Sequence, residues 1–401
     1  MIFPDTVREP VHRIRRWALT TGAAALVAAA PLPAVAAAPL PAVAPFPAAV
    51  SGTPERLPTF NGTVWATAYA GNTLYVGGDF TSATAGGKTV ARSRLAAIDA
   101  RTGALLDWAP PADDQVRAIA VAGGSVYVGG DFTRLAGADR DGLGRLDATT
   151  GTLHGTFRHR LTGQPYALAA ANGRLYAGGT FTTVNGVPRA RLAAFDLGTG
   201  ALLAGWSAGA DATVRTVVAA SGRIYAGGSF HRVNGAAGTA RLAALDPASG
   251  ALDTGFRPRA SYVTHAIAAG PRGVYAAHGG PGGRVVAYDP TGNTRWTLTQ
   301  DGDPQAVTVL DGTVYLGGHF DKVCRSPLTG DQGSCVDGSD RRVKLAAAAE
   351  ADGTLLPWTA DGNGISGVRA MAANPGLRKM VAGGAFTQIN GTARQRLAQF
   401  G

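Results

Sequence analysis

The chain has 401 residues, 45% apolar and 16% charged, with 57 glycines, 23 prolines and a net charge of +10. Almost all of the positive charge is scattered arginine, with lysine confined to Lys88, Lys322, Lys344 and Lys379. No basic run interleaved with aromatics is present, which argues against nucleic-acid binding and leaves attraction to anionic surface polymers beside plain compositional bias. Beyond the first segment no run has helical period, and short apolar runs between Gly-rich turns predict an all-β chain.

In chain order, the first segment places Arg13, Arg15 and Arg16 ahead of "WALTTGAAALVAAAPLPAVAAAP". This pattern reads as a secretory signal peptide over 1–36, with a small-residue cleavage site after Ala34-Val35-Ala36. Pro31 and Pro33 interrupt the apolar stretch before it is long enough to span a bilayer, so no integral anchor is expected. Arg15-Arg16 leaves twin-Arg export open beside the Sec route. Residues 37–50 are an Ala/Pro-rich linker. The expected destination is extracellular.

From there one phrase keeps returning. "YVGGDFT" at 75–81 recurs as "YVGGDFT" at 127–133, "YAGGTFT" at 176–182, "YAGGSFH" at 225–231, "YLGGHFD" at 315–321 and "VAGGAFT" at 381–387. A degenerate copy, "VYAAHGG" at 274–280, fills the one long gap. Seven copies of about 50 residues match the blades of a propeller. The third copy shows four strand-like runs, "PYALAAA", "RLYAGGTF", "RLAAFD" and "ALLAGW", with a tight-turn signal at Asn185-Gly186 between the second and third. Four short antiparallel strands per unit make one blade. An aromatic ends the fourth run of six copies: Trp108, Phe157, Trp206, Phe256, Trp296 and Trp358. The seventh copy stops after its third run, and "PERLPTF" at 54–60 supplies the missing strand, with Phe60 expected in the aromatic place. The prediction is a seven-bladed propeller over 51–401, its ring closed by residues 54–60 and its sheet edges thereby removed, and monomeric. The glycine pairs are expected to let neighbouring blades approach closely.

The combined unit "YVGGDFT…NG…RLAALD…TGALD..F" resembles the delta-60 repeat family of β-propellers, common in secreted bacterial proteins. The resemblance covers essentially all of 60–401 and implies a secreted propeller. A second likeness runs through "AAFDLGTGALLAGW" at 193–206, which is similar to the docking motif of quinoprotein (PQQ-like) propellers, where Asp, Thr-Gly and Trp lock adjacent blades. Those enzymes have eight blades, a neighbouring Cys pair and a calcium-bound quinone. Seven copies, with ten residues between Cys324 and Cys335, limit this likeness to architecture.

No HExxH, GxSxG, Walker loop or GxGxxG after a strand is present. Cys324 and Cys335 read as a disulfide in an exported protein, worth roughly 2–3 kcal/mol for so short a loop. Neither they nor the acidic stretches at 139–142 and 331–340 have metal-ligand spacing, and no cofactor is expected. The aspartates ending third strands (Asp99, Asp147, Asp196, Asp246, Asp289) recur with the repeat, which indicates a turn role. The position that varies is the second residue of each first strand: Trp65, Arg117, Tyr166, Arg215, His265, Gln305 and Arg369. These are read as a partly cationic ring at the channel mouth, suited to an anionic or carbohydrate ligand. The competing reading pairs them with loop acids such as Asp114, Asp211, Asp303 and Asp361. A second candidate region lies at copies five and six, where a short loop adjoins the long loop 321–343 and a notch with Tyr262, His278 and His319 is expected. The preferred function is a secreted, non-catalytic binding, adhesion or scaffold module for a cell-wall glycan or another protein. The alternatives are a polysaccharide lyase or hydrolase drawing on Tyr166, Tyr262 and His265, and a quinone-dependent dehydrogenase.

Overall fold

The computed structural model describes residues 49–401; the expected signal peptide at 1–36 and most of the linker lie outside them. Among the described residues there is no α-helix, and a short 3₁₀ turn at Asp331–Gly333 is the one helical element. Seven antiparallel sheets, hereafter blades one to seven, each begin with a seven-residue inner strand: Val64–Ala70, Val116–Ala122, Pro165–Ala171, Val214–Ala220, Thr264–Gly270, Pro304–Leu310 and Val368–Asn374. Each inner strand packs beside the next, and that of blade seven returns to that of blade one.

The inner strand pairs with a second strand ending in the glycine pair, and the second with a third such as Leu95–Asp99 or Leu192–Asp196. The fourth run differs from expectation. Blade five alone forms a full fourth strand, Thr294–Thr299. In five other blades the run touches its neighbour through a single bridge, as at Ile98↔Leu105 and Phe195↔Leu202. In blade five "TRWTLT" carries three β-branched threonines and no Gly or Pro, which suits it to a full strand.

In every blade but the fifth, the second and third strands are joined by a further hairpin. In blade three Thr183–Val184 pairs with Val187–Pro188 around Asn185 and Gly186, whose φ values of 53° and 79° are those of a type I′ turn. The chain leaving the preceding blade bridges onto this hairpin, as at Leu161↔Val184 and Ala210↔Val233.

The two glycines of each pair have separate duties. A Cβ on Gly77 would lie 2.7 Å from Val116 of the next blade, and one on Gly178 2.5 Å from Val214. The first glycine therefore sets the spacing between blades. A Cβ on Gly78, Gly130 or Gly179 would instead strike the backbone carbonyl of Thr63, Gln115 or Gln164 in its own blade.

Between blades, buried tryptophans reach across: the indole N–H of Trp108 donates to Asp147 O at 2.9 Å, that of Trp206 to Asp246 O at 3.4 Å and that of Trp296 to Glu350 O at 3.2 Å. The docking arrangement seen in the sequence at 193–206 has this physical content. Asp196 accepts from the Thr199 N–H and hydroxyl to hold the turn, and Trp206 fastens to the following blade.

Residues 51–57 run along the third strand of blade seven, Leu397–Phe400. Glu55 N–H donates to Gln399 O at 2.8 Å and Ser51 N–H to Gly401 O at 3.1 Å. The Glu55 carboxylate also meets Lys379 Nζ at 2.7 Å and Gln399 Nε2 at 2.6 Å. The register differs from that read in the sequence. Glu55 makes the bond that Leu106 makes to Ala97 in blade one, so Leu57, two residues on, takes the place of Trp108. Leu57 packs against the cluster that holds Leu74 and Val381, while Phe60 pairs further along with Ala83.

Candidate functional site

Every inner strand contains a register shift near its start, between Val64 and Ala66, Val116 and Ala118, Pro165 and Ala167, Val214 and Thr216, Thr264 and Ala266, Pro304 and Ala306, and Val368 and Ala370. The residue left unpaired by each bulge is Trp65, Arg117, Tyr166, Arg215, His265, Gln305 or Arg369. A bulged residue is released from the ladder and its side chain re-aimed. All seven line one cavity of about 570 Å³, together with neighbouring inner-strand residues such as Ala66, Ile119, Leu168 and Met371. The repeat thus sets a scaffold, and the bulge gives each blade one position free to differ.

The seven side chains differ in how they are held. Arg117 donates to both carboxylate oxygens of Asp131, Nε to Oδ1 at 3.0 Å and Nη2 to Oδ2 at 2.6 Å, a bidentate charge-assisted pair. Asp79 accepts the Trp65 indole N–H at 3.2 Å and the Thr63 N–H at 2.5 Å. Trp65 stands between two guanidiniums, with Arg369 at 4.9 Å and Arg117 at 5.7 Å from its centroid, and Arg117 also lies 5.1 Å from the Tyr166 ring. His265 Nε2 approaches Asp303 Oδ2 at 3.5 Å.

Arg215 is exposed, and Arg369 is half-buried with its Nε unpartnered; neither joins an ion pair among the described residues. Burial without a compensating anion lowers the Arg369 pKa from its ordinary value, whereas in Arg117 the Asp131 contacts outweigh burial and raise it. Gln305 Oε1 is buried and has no partner.

The loop acids expected to neutralise the ring are mostly engaged elsewhere. Asp211 accepts the His231 and Arg232 N–H groups, Asp361 pairs with Arg341, and Asp114 bonds the adjacent Gln115 N–H. Only Asp303 of that set reaches a ring residue. The partners that sequence reading missed are Asp79 and Asp131, which follow the glycine pairs. A signal was present: this position reads Asp, Asp, Thr, Ser, Gly, His, Ala across the seven copies, varying as freely as the ring itself.

The second candidate region does not form as expected. His278 is 2% exposed, held between Thr264 Oγ1 at 3.1 Å and Tyr288 Oη at 3.0 Å. Burial pushes its pKa down to about 4. It is a core side chain, because its strand position points into the blade rather than toward solvent. His319 is exposed, and Tyr262 lies under Arg284 at 4.3 Å, outside the mouth lining. The expected notch is occupied: the loop stapled by Cys324–Cys335, with Cα atoms 5.1 Å apart, folds over blade five. Thr329 Oγ1 donates to Pro281 O at 3.4 Å, and Gly333 packs on Gly282.

Third-strand aspartates do hold turns. Asp147 accepts from the Thr149 and Thr150 N–H groups, and such bonds hold these carboxyls below the usual range, Asp289 at about 2. Among the described residues no group of three His, Cys, Asp or Glu is placed to hold a metal ion. The mouth lining contains no carboxylate to ligate the calcium of a quinone site, and its guanidiniums repel a divalent cation. These residues do not fit that group.

The protein-family model described as "Outer membrane protein assembly factor BamB" matches residues 49–270. The chain belongs to this propeller family. No curated protein matches it. Among solved structures it is similar to the WD40 β-propeller domain of Doa1, at 10% identity and a TM-score of 0.54, over 86% of this chain and 95% of that one. It is also similar to the computationally designed Ika8 protein, at 16% identity and a TM-score of 0.46, over 85% of this chain and 98% of that one. No helix among the described residues is long and apolar enough to cross a membrane.

Proposed function

We propose that this propeller is an exported, non-catalytic binding module of the delta-60 type that takes an anionic extracellular ligand at the channel mouth. One observation carries the reading. Seven side chains that do not follow the repeat are released by bulges into a single cavity, and two of them, Arg215 and Arg369, are cations without a protein partner. Unpaired guanidiniums on a low-dielectric wall favour an anion, with strength that falls as salt rises. The test is an array of acidic and neutral glycans and cell-wall fragments with the purified chain. Acidic members are expected to bind, and the double variant Arg215→Gln/Arg369→Gln to lose that binding. Retention of neutral glycans alone, or of nothing, would overturn the reading.

A second reading, a scaffold for another protein, is favoured by Leu328 and Val336, which stand 63% and 53% exposed on the stapled loop. The description of the matching family names an assembly factor, which supports it.

A further inference from the structure

Resting on that reading of the mouth, we infer that its ligand is a small hydroxylated dicarboxylate bridging Arg215 and Arg369. The first ground is charge. Arg117 is matched by Asp131, and His265 faces Asp303. Asp79 is taken up by the Trp65 and Thr63 N–H groups, so two guanidiniums remain without a partner, and an anion with two carboxylates pairs both where a monocarboxylate leaves one bare.

The second ground is placement. Arg215 belongs to blade four and Arg369 to blade seven, three of seven steps round the ring and close to opposite each other. A phosphate monoester carries its charge at one end only. A carboxylate at each end of a short chain reaches both, and each planar guanidinium presents a fork that fits a carboxylate.

The third ground is what the aromatics do. A sugar-binding site offers an open aromatic face. Here Trp65 is flanked by Arg117 and Arg369, and Tyr166 carries Arg117. The rings orient the guanidiniums, so recognition runs through N–H groups and not through stacking of a pyranose. The ring order Arg369, Trp65, Arg117, Tyr166, Arg215 makes one arc of alternating cation and aromatic. The opposite arc carries His265 and Gln305, and the Gln305 amide, which lines the cavity, makes no hydrogen bond among the described residues. A hydroxyl on the ligand chain between the two carboxylates satisfies it. The cavity volume lies in the range of small-molecule pockets.

The experiment is calorimetric titration of the purified full chain with four probes: glucarate, gluconate, adipate and glucose 6-phosphate. Glucarate is expected to bind about tenfold or more tightly than gluconate, one charge-assisted contact being worth that much. Adipate, which lacks hydroxyls, and glucose 6-phosphate are expected to bind more weakly than glucarate. Arg215→Gln, at an exposed position where folding is not at stake, is expected to abolish the preference for glucarate over gluconate; Arg369→Gln should do the same. If gluconate equals glucarate in the unmodified protein, the dicarboxylate inference falls while the anion-binding reading stands. Adipate equal to glucarate removes the hydroxyl and Gln305 from the inference. Preference for glucose 6-phosphate overturns the two-ended arrangement. If no acid binds here or on the glycan array, both readings fall.

Discussion

His278 makes acid sensitivity a measurable property of blade five. The side chain sits where other blades carry the second glycine, buried against Thr264 and Tyr288. Burial lowers its pKa from the ordinary 6.5 to about 4, with Arg284 and His265 adding to the effect and a hydrogen bond to the Tyr262 backbone opposing it. The sign follows from linkage. Because the folded value is depressed, the neutral ring's contribution is fully present above pH 6.5 and is lost as pH falls toward 4, where the unfolded chain binds a proton the folded chain resists. Between these values the loss is about 2 kcal/mol by pH 5 and about 3 kcal/mol by pH 4. Urea denaturation of the wild type and of His278→Gln, between pH 7.5 and 4.5, isolates the effect. Gln keeps a polar partner for Tyr288 but does not titrate, so its stability is expected to fall less steeply over the same range. Parallel pH profiles for the two proteins would refute the reasoning, as would an NMR titration placing the His278 ring at or above 6.5.

Two further predictions concern the scaffold. Gly78→Ala drives a Cβ into the Thr63 carbonyl, which cannot yield without moving the bulge, so a loss of roughly 1–3 kcal/mol is expected. Gly155→Ala, whose Cβ meets nothing within 4 Å, is the matched control, and equal midpoints for the two in thermal melts would refute the account. Removing residues 51–57 strips Glu55 from Gln399 and Lys379 and Leu57 from its cluster, exposing the edge of Leu397–Phe400. Such chains are expected to associate through that edge, and a truncated protein that runs as a stable monomer by light scattering would count against it.

Much of this molecule is written in short-range pattern. The period of the glycine pairs, the turn aspartates and Asn185-Gly186 each depend on residues a few positions apart, and they foretold the blades, the hairpin turns and the tryptophan docking. The variable inner-strand position was also visible, because a side chain released by a bulge into the central cavity is not held to the contacts that the repeat makes within and between blades. What the tertiary structure decided were matters of partner and register across long separations. Asp131 and not Asp114 holds Arg117, although Asp114 is nearer in sequence, because pairing of the inner and second strands brings residue 131 back beside residue 117. Leu57 and not Phe60 fills the aromatic place, since backbone bonds between residue 55 and residue 399 set that register and no local pattern contains them. His278, polar and expected outside, lies in the core because its neighbours in space, Thr264 and Tyr288, supply the hydrogen bonds that burial demands. Sequence period determined where the blades are; contacts between distant strands determined which charges at the mouth are left without a partner, since an ion pair depends on distance in space.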